Sequence, residues 1–173
     1  MPLTNPWLAG PSTDRDLPRE ILEERILNLF STHNLAVIAT INRDGSPAAT
    51  PVRYFSLGLE IFYTSWNDSV KSRNLRRDPR VSVGIVAPLV GQASSRGAQL
   101  FGTARTIERG NPEAAAYWEA ARWQSDHVEQ GKSLIDLPTD PLTIITPFRI
   151  LYTDHWLRRS GYRPRQTWHP QDD

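Results

Sequence analysis

The 173-residue sequence contains no cysteine, and its charges nearly cancel, with 20 Lys+Arg against 19 Asp+Glu and a net charge of +1. The lack of cysteine excludes disulfides, iron–sulfur clusters, thiolate zinc sites and cysteine nucleophiles. A net charge this small gives no general attraction to nucleic acid or to an anionic membrane. No apolar run reaches the roughly 18–20 residues of a membrane span, and the N-terminus lacks a signal-peptide pattern. We therefore expect one soluble, cytoplasmic protein without a membrane partner.

Several common functional motifs are also missing. The ten glycines form neither G-x-G-x-x-G nor a P-loop, so the two usual nucleotide fingerprints are absent. The histidines share no metal-ligand spacing, and we expect no metal. No nucleophile-elbow motif surrounds a serine, so we assign no catalytic side chain. We interpret the adjacent Asp154 and His155 as the polar end of a strand, with a proton relay as the alternative.

The sequence does contain a succession of short apolar segments separated by turn formers. Amphipathic spacing predicts a helix over 18–32. Asn111 and Pro112 predict the start of a second helix, over 111–130. Gly102 predicts a bulge, and Pro147 predicts a bent or edge strand. The β-branched, apolar runs that predict strands are 35–42, 48–55, 59–64, 80–86, 98–107 and 142–153.

Hairpin turns such as 42–45 join most of these strands, and β and α units do not alternate. This order predicts an α+β, mainly β domain built on a six-stranded antiparallel barrel with flanking helices. We divide the chain into an irregular N-terminal arm (1–17), a barrel domain (18–156) with a helical insertion at 111–130, and a C-terminal tail (157–173). The tail is rich in Trp, Arg and Pro, and we expect no packed element there.

The segment from Phe62 to Arg80 carries the strongest functional signal. An apolar strand ends in hydroxyl-bearing residues and leads into a short basic helix. A helix N-terminus offers unpaired N–H groups and the positive end of the helix dipole, and Lys71 adds a full charge one turn in. This combination favours a bound phosphate. The alternatives are a solvated charged face and nucleic-acid binding through the arginines of the helix, which the near-neutral total charge disfavours. We expect no nucleic-acid partner.

Four segments together resemble a known family. Their order and spacing are similar to those of the pyridoxamine 5′-phosphate oxidase-like flavin-binding split barrels, especially the branch that uses flavins or deazaflavins. The resemblance covers roughly residues 20–156 and implies a split β-barrel of the FMN-binding type. The segments are ATINRDGSPAATPVRYF (39–55), FYTSWNDSVKSRNLRRDPRVSV (62–83), QLFGTARTIE (99–108) and TPFRILYTDHW (146–156).

The resemblance also implies a set of cofactor-binding residues in three groups. The group expected against the flavin ring is Thr50, Pro51, Val52 and Arg53. The group expected along the ribityl chain is Tyr63, Thr64 and Ser65. The group expected at the phosphate is Ser69, Lys71 and Asn74.

The last implied cofactor contact, Trp156, is expected to border a flavin bound mainly by a second copy of the chain. We predict that an exposed apolar wall pairs two barrels about a twofold axis. The resulting homodimer has two cofactors at the interface between its subunits. The wall residues are Val52, Tyr54, Phe55 and Tyr63.

The resemblance implies an oxidoreductase that binds FMN, or the deazaflavin F-420, and transfers hydride to or from a small organic substrate. The two cofactors share a ribityl phosphate, so the sequence leaves both open. The alternative is a non-catalytic flavin-binding or storage protein of the same fold. The basic residues that pyridoxamine phosphate oxidases carry near Thr50 and Phe55 are absent here, which argues against vitamin B6 oxidation.

Overall fold

A computed structural model describes residues 14–87, 96–108, 110–128 and 140–171, except the side chains of 125–128. Most of the predicted arm (1–13) and the end of the predicted insertion (129–130) lie outside the described residues. The elements, in chain order, are α1 Arg19–Thr32, β1 Leu35–Ile41, β2 Pro47–Arg53, β3 Phe55–Leu57, β4 Glu60–Thr64, α2 Val70–Arg77, β5 Arg80–Val86, β6 Arg96–Ile107, α3 Ala114–Val128, β7 Leu142–Asp154, a 3-10 helix His155–Ser160, and β8 Arg165–Trp168.

The eight strands form one antiparallel sheet in the order β2-β1-β5-β6-β7-β4-β3, with β8 also paired to β7. β2 and β3 stand at the two ends of this order, yet only Tyr54 separates them in the chain. The sheet therefore curls back on itself as a half-barrel. Alternate side chains such as Ile38, Val83 and Leu100 fill its interior. This is the mainly β, antiparallel split barrel that the sequence predicts.

The structure has two strands more than the predicted six, and β3 is the first of them. We expected residues 48–55 to run as one strand into a turn, but the chain bends at Tyr54 and then pairs with β4. Tyr54 is buried, and its N–H donates to the Asn34 carbonyl at 2.9 Å. Its hydroxyl donates to the Phe30 carbonyl at 3.2 Å. Burial of this ring between α1 and the strands explains why β2 ends where it does.

The other additional strand, β8, lies in the tail, and the expectation of no packed element there is wrong. Trp168 and Gln166 are buried beside α1 and β7. The Trp168 indole Nε1 donates to Glu23 Oε1 at 2.6 Å. The Leu17 N–H donates to Gln166 Oε1 at 2.9 Å. The two ends of the described chain are therefore attached to each other, a pairing that no local sequence pattern reveals.

β7 is bent, as Pro147 predicts. Its register with β6 shifts so that Phe101 faces Arg149 and Gly102 faces Pro147, which leaves Phe148 as an extra residue. On its other edge β7 pairs with β4 over 142–145 and with β8 over 150–153. Pro147, which has no N–H to donate, lies in the gap between these two partners.

α3 covers only one half of the outer surface of the sheet. It packs over Phe62, Ile107 and Ile144. No described helix covers the outer side of β1, β2 and β5. We call this second area the bare face and define it by its outward residues Leu35, Val37, Ile41, Pro51 and Val86.

The apolar wall that the sequence predicts for dimerisation is only partly exposed. Tyr54 and Tyr63 are 0% and 1% exposed in the single chain, so the expectation that they lie on an open surface is wrong. Both rings belong to the barrel core. The exposed apolar surface is instead the bare face, where Val37 is 43% exposed and Val86 is 75% exposed.

Candidate functional site

The turn between β4 and α2 is built from serine hydroxyl groups. Ser69 caps α2, because its side chain accepts a hydrogen bond from the Ser72 N–H at 3.2 Å. The Ser69 hydroxyl lies 2.9 Å from that of Ser65 and 2.8 Å from that of Ser72. The Ser72 hydroxyl donates to that of Ser65 at 3.1 Å. This triangle of hydroxyls holds the end of β4 against the first turn of the helix.

A cleft of about 340 Å³ opens beside this turn. It brings together four of the residues that the sequence assigns to a cofactor, from the end of β4 and the start of α2. It also contains Trp66, which the sequence places beside a ligand site, and Asp140, which the sequence does not assign. The lining residues are Thr64, Ser65, Trp66, Ser69, Lys71 and Asp140.

Lys71 is the cation of this cleft. Its ammonium Nζ lies 6.0 Å from the centre of the Tyr63 ring, and within the described ranges it forms no ion pair. Partial burial lowers the pKa of Lys71, because desolvation disfavours the charged form. A partly desolvated ammonium beside hydroxyl donors suits an anionic oxygen group. The cleft residues therefore fit a phosphate.

Tyr63 supports the cleft from inside the barrel and does not line it. Burial raises the pKa of Tyr63 to about 12, so this phenol stays neutral at physiological pH. The side chain of Thr143 interacts with this phenol and lowers the pKa, but burial is the larger effect. The structure thus places Tyr63 in the barrel core beneath Lys71, and not at the surface of the cleft where a ribityl chain was expected to pass.

Asn74 is not in the cleft, although it is assigned to the phosphate. Its side chain is buried, and its Nδ2 donates to Thr40 Oγ1 at 3.0 Å and to Asn42 Oδ1 at 2.9 Å. Arg77 donates to the Ile41 carbonyl beside it. In this structure Asn74 attaches α2 to the hairpin between β1 and β2.

The four β2 residues assigned to the flavin ring divide between the two faces of the strand. Thr50 and Val52 are half-buried and face the barrel, whereas Pro51 and Arg53 are exposed on the outer side. The Arg53 guanidinium lies over the Phe55 ring, 4.9 Å from its centre. None of the four lines the cleft, so the structure does not bring them together with Lys71 in one chain.

Trp156 stands at the far end of β7 from the cleft. The cleft adjoins β7 at Leu142, which pairs with Thr64, while Trp156 follows the last residue of that strand. Twelve steps of about 3.3 Å give β7 a length of about 40 Å along the strand, and its bend shortens the distance between its ends. Trp156 does not line the cleft around Lys71 in the single chain.

The buried Asp154 acts as a helix cap. Its Oδ1 accepts the Trp156 N–H at 3.0 Å, and its Oδ2 lies 3.5 Å from Arg25. These contacts agree with a polar strand end.

The arginines of α2 are mostly bound to their own chain. Arg73 donates to the Asp68 carbonyl, and Arg77 donates to the Ile41 carbonyl. Arg80 lies 2.7 Å from Asp78 and holds the pKa of that carboxyl at about 2. The side chains of Arg73, Arg77 and Arg80 are nevertheless exposed, so the expectation of no nucleic-acid partner stays a prediction.

Sequence reasoning missed Asp140. It lies two residues before β7, and it reaches the cleft because Leu142 pairs with Thr64. That pairing links residues far apart in the chain, so no local motif indicates it. In the described ranges, no group of three or more His, Asp or Glu is arranged to hold a metal ion. No described helix is both long and apolar enough to cross a membrane.

Comparison with known proteins identifies the family. The profile described as pyridoxamine 5′-phosphate oxidase matches residues 22–153, and the chain belongs to this family. A heme-binding protein from Mycobacterium smegmatis is similar in structure, with a TM-score of 0.66 and 25% identity. That match covers 88% of this chain but only 60% of the heme-binding protein.

Two other solved structures share the fold. A conserved hypothetical protein from Mycobacterium tuberculosis has a TM-score of 0.64 and 21% identity, over 94% of this chain and 98% of its own. An F420 reductase has a TM-score of 0.54 and 20% identity, over 71% of this chain and 93% of its own. The fold therefore occurs both in a heme-binding protein and in an F420 reductase.

Proposed function

We propose that this protein is an oxidoreductase that binds FMN or the deazaflavin F-420 and transfers hydride to or from a small organic substrate. One observation carries the proposal, namely the partly buried Lys71, which forms no ion pair with a described residue and shares a cleft with the hydroxyls of Thr64, Ser65 and Ser69. Membership of the pyridoxamine 5′-phosphate oxidase family supports it, as does the shared fold of an F420 reductase.

In this proposal the chain's own residues bind and orient the cofactor. Lys71 supplies the positive charge, and the hydroxyls of Thr64 and Ser65 donate to the phosphate oxygens. The N-terminus of α2 adds the positive end of its dipole. When bound, the flavin supplies the hydride chemistry. The protein then needs no nucleophilic side chain of its own.

We further propose that the active form is a homodimer with two cofactors, each contacted by both chains. The bare face is the contact surface in this proposal. Its exposed residues Leu35, Val37 and Val86 form a larger apolar patch than a sheet normally leaves in contact with water. A twofold axis through this face would let one copy supply Trp156 near the other copy's Lys71. This resolves the distance that separates the two residues in a single chain.

A non-catalytic flavin-binding protein of the same fold is the alternative. Turnover of bound flavin by an electron donor and an acceptor separates the two, because a storage protein binds without turnover.

Haem binding is the second candidate, since a heme-binding protein has the highest TM-score of the structures compared above. The described histidine rings are those of His33, His155 and His169, and none of them lines the cleft. The described part of the cleft therefore offers a haem no histidine ligand. The absorption spectrum of the purified protein separates a flavin from a haem.

The decisive experiment for the phosphate site is Lys71→Ala. A charge-assisted hydrogen bond contributes about 1.5–3 kcal/mol, so the Kd for FMN should rise about ten- to a hundredfold. The Kd for riboflavin, which lacks the phosphate, should hardly change. Flavin fluorescence quenching measures both values.

Arg76→Ala is the matched control, because it removes one positive charge from the exposed side of the same helix. It should change FMN affinity by less than about twofold. Unchanged FMN affinity in Lys71→Ala would mean that the phosphate binds elsewhere.

A further inference from the structure

The cleft contains one feature that a general phosphate site would avoid, the carboxylate of Asp140. Asp140 and Lys71 line the same cleft. Across the described part of the chain, neither of them forms an ion pair. The negative charge is therefore not neutralised by a direct protein contact, and it faces any ligand that fills the cleft together with the positive charge of Lys71.

The formal charges of the lining side chains cancel, with one ammonium and one carboxylate among neutral residues. In such a site, each negative charge on the phosphate of a ligand interacts with both the ammonium and the carboxylate. A phosphomonoester carries about −1.5 to −2 at pH 7. A phosphodiester has no second acidic oxygen and carries a single negative charge. The additional charge of the monoester gains attraction from Lys71 but meets repulsion from Asp140.

We propose that Asp140 is a specificity-determining residue, and that it cancels the advantage that Lys71 would otherwise give a ribityl phosphomonoester over a ribityl phosphodiester. This inference rests on the proposed function, because it concerns the phosphate site of the same cofactor. FMN ends in a phosphomonoester. F-420 belongs to the phosphodiester class, since its ribityl phosphate is esterified on both sides. The carboxylate of Asp140 would then remove the charge preference for FMN over F-420.

Coulomb's law gives the size of the effect. Charges that share a half-exposed cleft lie within about 4–8 Å of a ligand that fills it, at an effective dielectric constant between those of a protein surface and water. The repulsion between Asp140 and one additional unit of negative charge on the ligand then raises Kd by about five- to tenfold. Desolvation of Lys71 indicates that the cleft is not fully screened by solvent.

The test compares FMN with its phosphate monomethyl ester, which has the same ring and ribityl chain but one acidic oxygen fewer. Wild-type protein should bind the methyl ester and FMN within about twofold of each other, because the charges of Lys71 and Asp140 oppose each other. Asp140→Asn should tighten the binding of both ligands, and that of FMN by about five- to tenfold more than that of the ester, so a preference for FMN appears. Fluorescence titration at pH 7.5 and low salt measures both constants.

Asp68→Asn is the matched control, because it removes the same charge from an exposed residue that precedes α2 but does not line the cleft. It should leave the ratio of the two dissociation constants unchanged. A ratio that Asp140→Asn does not move by more than twofold would overturn the role of Asp140. A wild-type protein that binds FMN more than about fivefold more tightly than the ester would overturn it too.

Binding of riboflavin distinguishes a failure of the Asp140 inference from a failure of the proposed function. If FMN and its methyl ester both bind no better than riboflavin, or if none of the three binds, the phosphate site itself is wrong and both proposals fall. If the two phosphate ligands bind better than riboflavin and lose that gain in Lys71→Ala, the site stands. In that case the Asp140→Asn ratio alone decides the inference.

Discussion

At the residue scale, Lys71 and Asn74 lie one turn apart on α2 and face different surroundings. Lys71 points to the cleft, where burial lowers its pKa. Asn74 points into the protein and bonds Thr40 and Asn42. The resemblance assigns both to a phosphate, but the structure gives the second one a different set of contacts. The two roles differ in what a mutation should change.

We predict that Asn74→Ala mainly lowers stability. It removes the donor to the Thr40 hydroxyl, which is itself buried, so an unsatisfied polar group should cost about 1–3 kcal/mol of unfolding free energy. Urea denaturation measures this loss. Asn28→Ala, at an exposed position of α1, should change stability by less than about 0.5 kcal/mol. Full stability together with a large loss of FMN affinity in Asn74→Ala would instead support the phosphate contact.

At the scale of elements, the bend in β7 depends on a close approach between two strands. A Cβ atom added to Gly102 would lie 2.5 Å from the Thr146 carbonyl oxygen and 3.1 Å from the Pro147 Cα. Both are backbone atoms, which cannot move aside as a side chain can. Because Gly102 on β6 has no side chain, β7 can bend at Pro147 and approach β6 this closely.

We predict that Gly102→Ala destabilises the fold by about 1–3 kcal/mol, the usual cost of overpacking. Gly110→Ala is the control, because no atom lies within 4 Å of an added Cβ there and its backbone is not in the left-handed region. It should leave stability equal or raise it by up to about 1 kcal/mol. Thermal or urea unfolding measures both. Equal stability of Gly102→Ala and wild type would show that β6 and β7 separate at little cost.

At the scale of the whole molecule, the bare face is the main apolar surface that no described element covers. α3 covers the outer side of β4 and the first half of β7, and the bare face remains on the other half of the sheet. Its residues alternate along β1 with buried ones, so an exposed residue there contributes little to the core of its own chain. Assembly and folding can therefore be tested separately.

We predict that Val37→Lys gives a folded monomer with weakened flavin binding. The side chain is 43% exposed in the single chain, so the fold should persist, while two ammonium groups brought together across a twofold interface should oppose association. Light scattering measures the mass, and titration in the same sample measures flavin affinity. The cleft around Lys71 is untouched by this change, so any weakening reports the part of the site that a second copy supplies.

Ile21→Lys is the matched control, because Ile21 is 40% exposed on α1 and lies outside the bare face. It should leave both mass and affinity unchanged. A Val37→Lys monomer with full flavin affinity would contradict the shared site, and an unchanged dimer would contradict the choice of face.

The sequence by itself determined the elements whose cause is local. The periodicity of α1, the turn at 42–45 and the β-branched run of β5 all depend on residues within a few positions of one another, and each lies where it is predicted. The grouping of Ser69 and Lys71 at a helix start is local in the same sense. These features could be predicted because the physical interactions that produce them act over one or two turns of chain.

Only the tertiary structure decided which side chains are buried and which distant residues meet. Tyr63 enters the core, and Asn74 turns inward, because the barrel curls around them. Asp140 reaches the cleft, and Trp168 packs on α1, through pairings made by β7. The order of strands in a sheet depends on the packing of the whole chain, and the local pattern of apolar residues is compatible with several such orders.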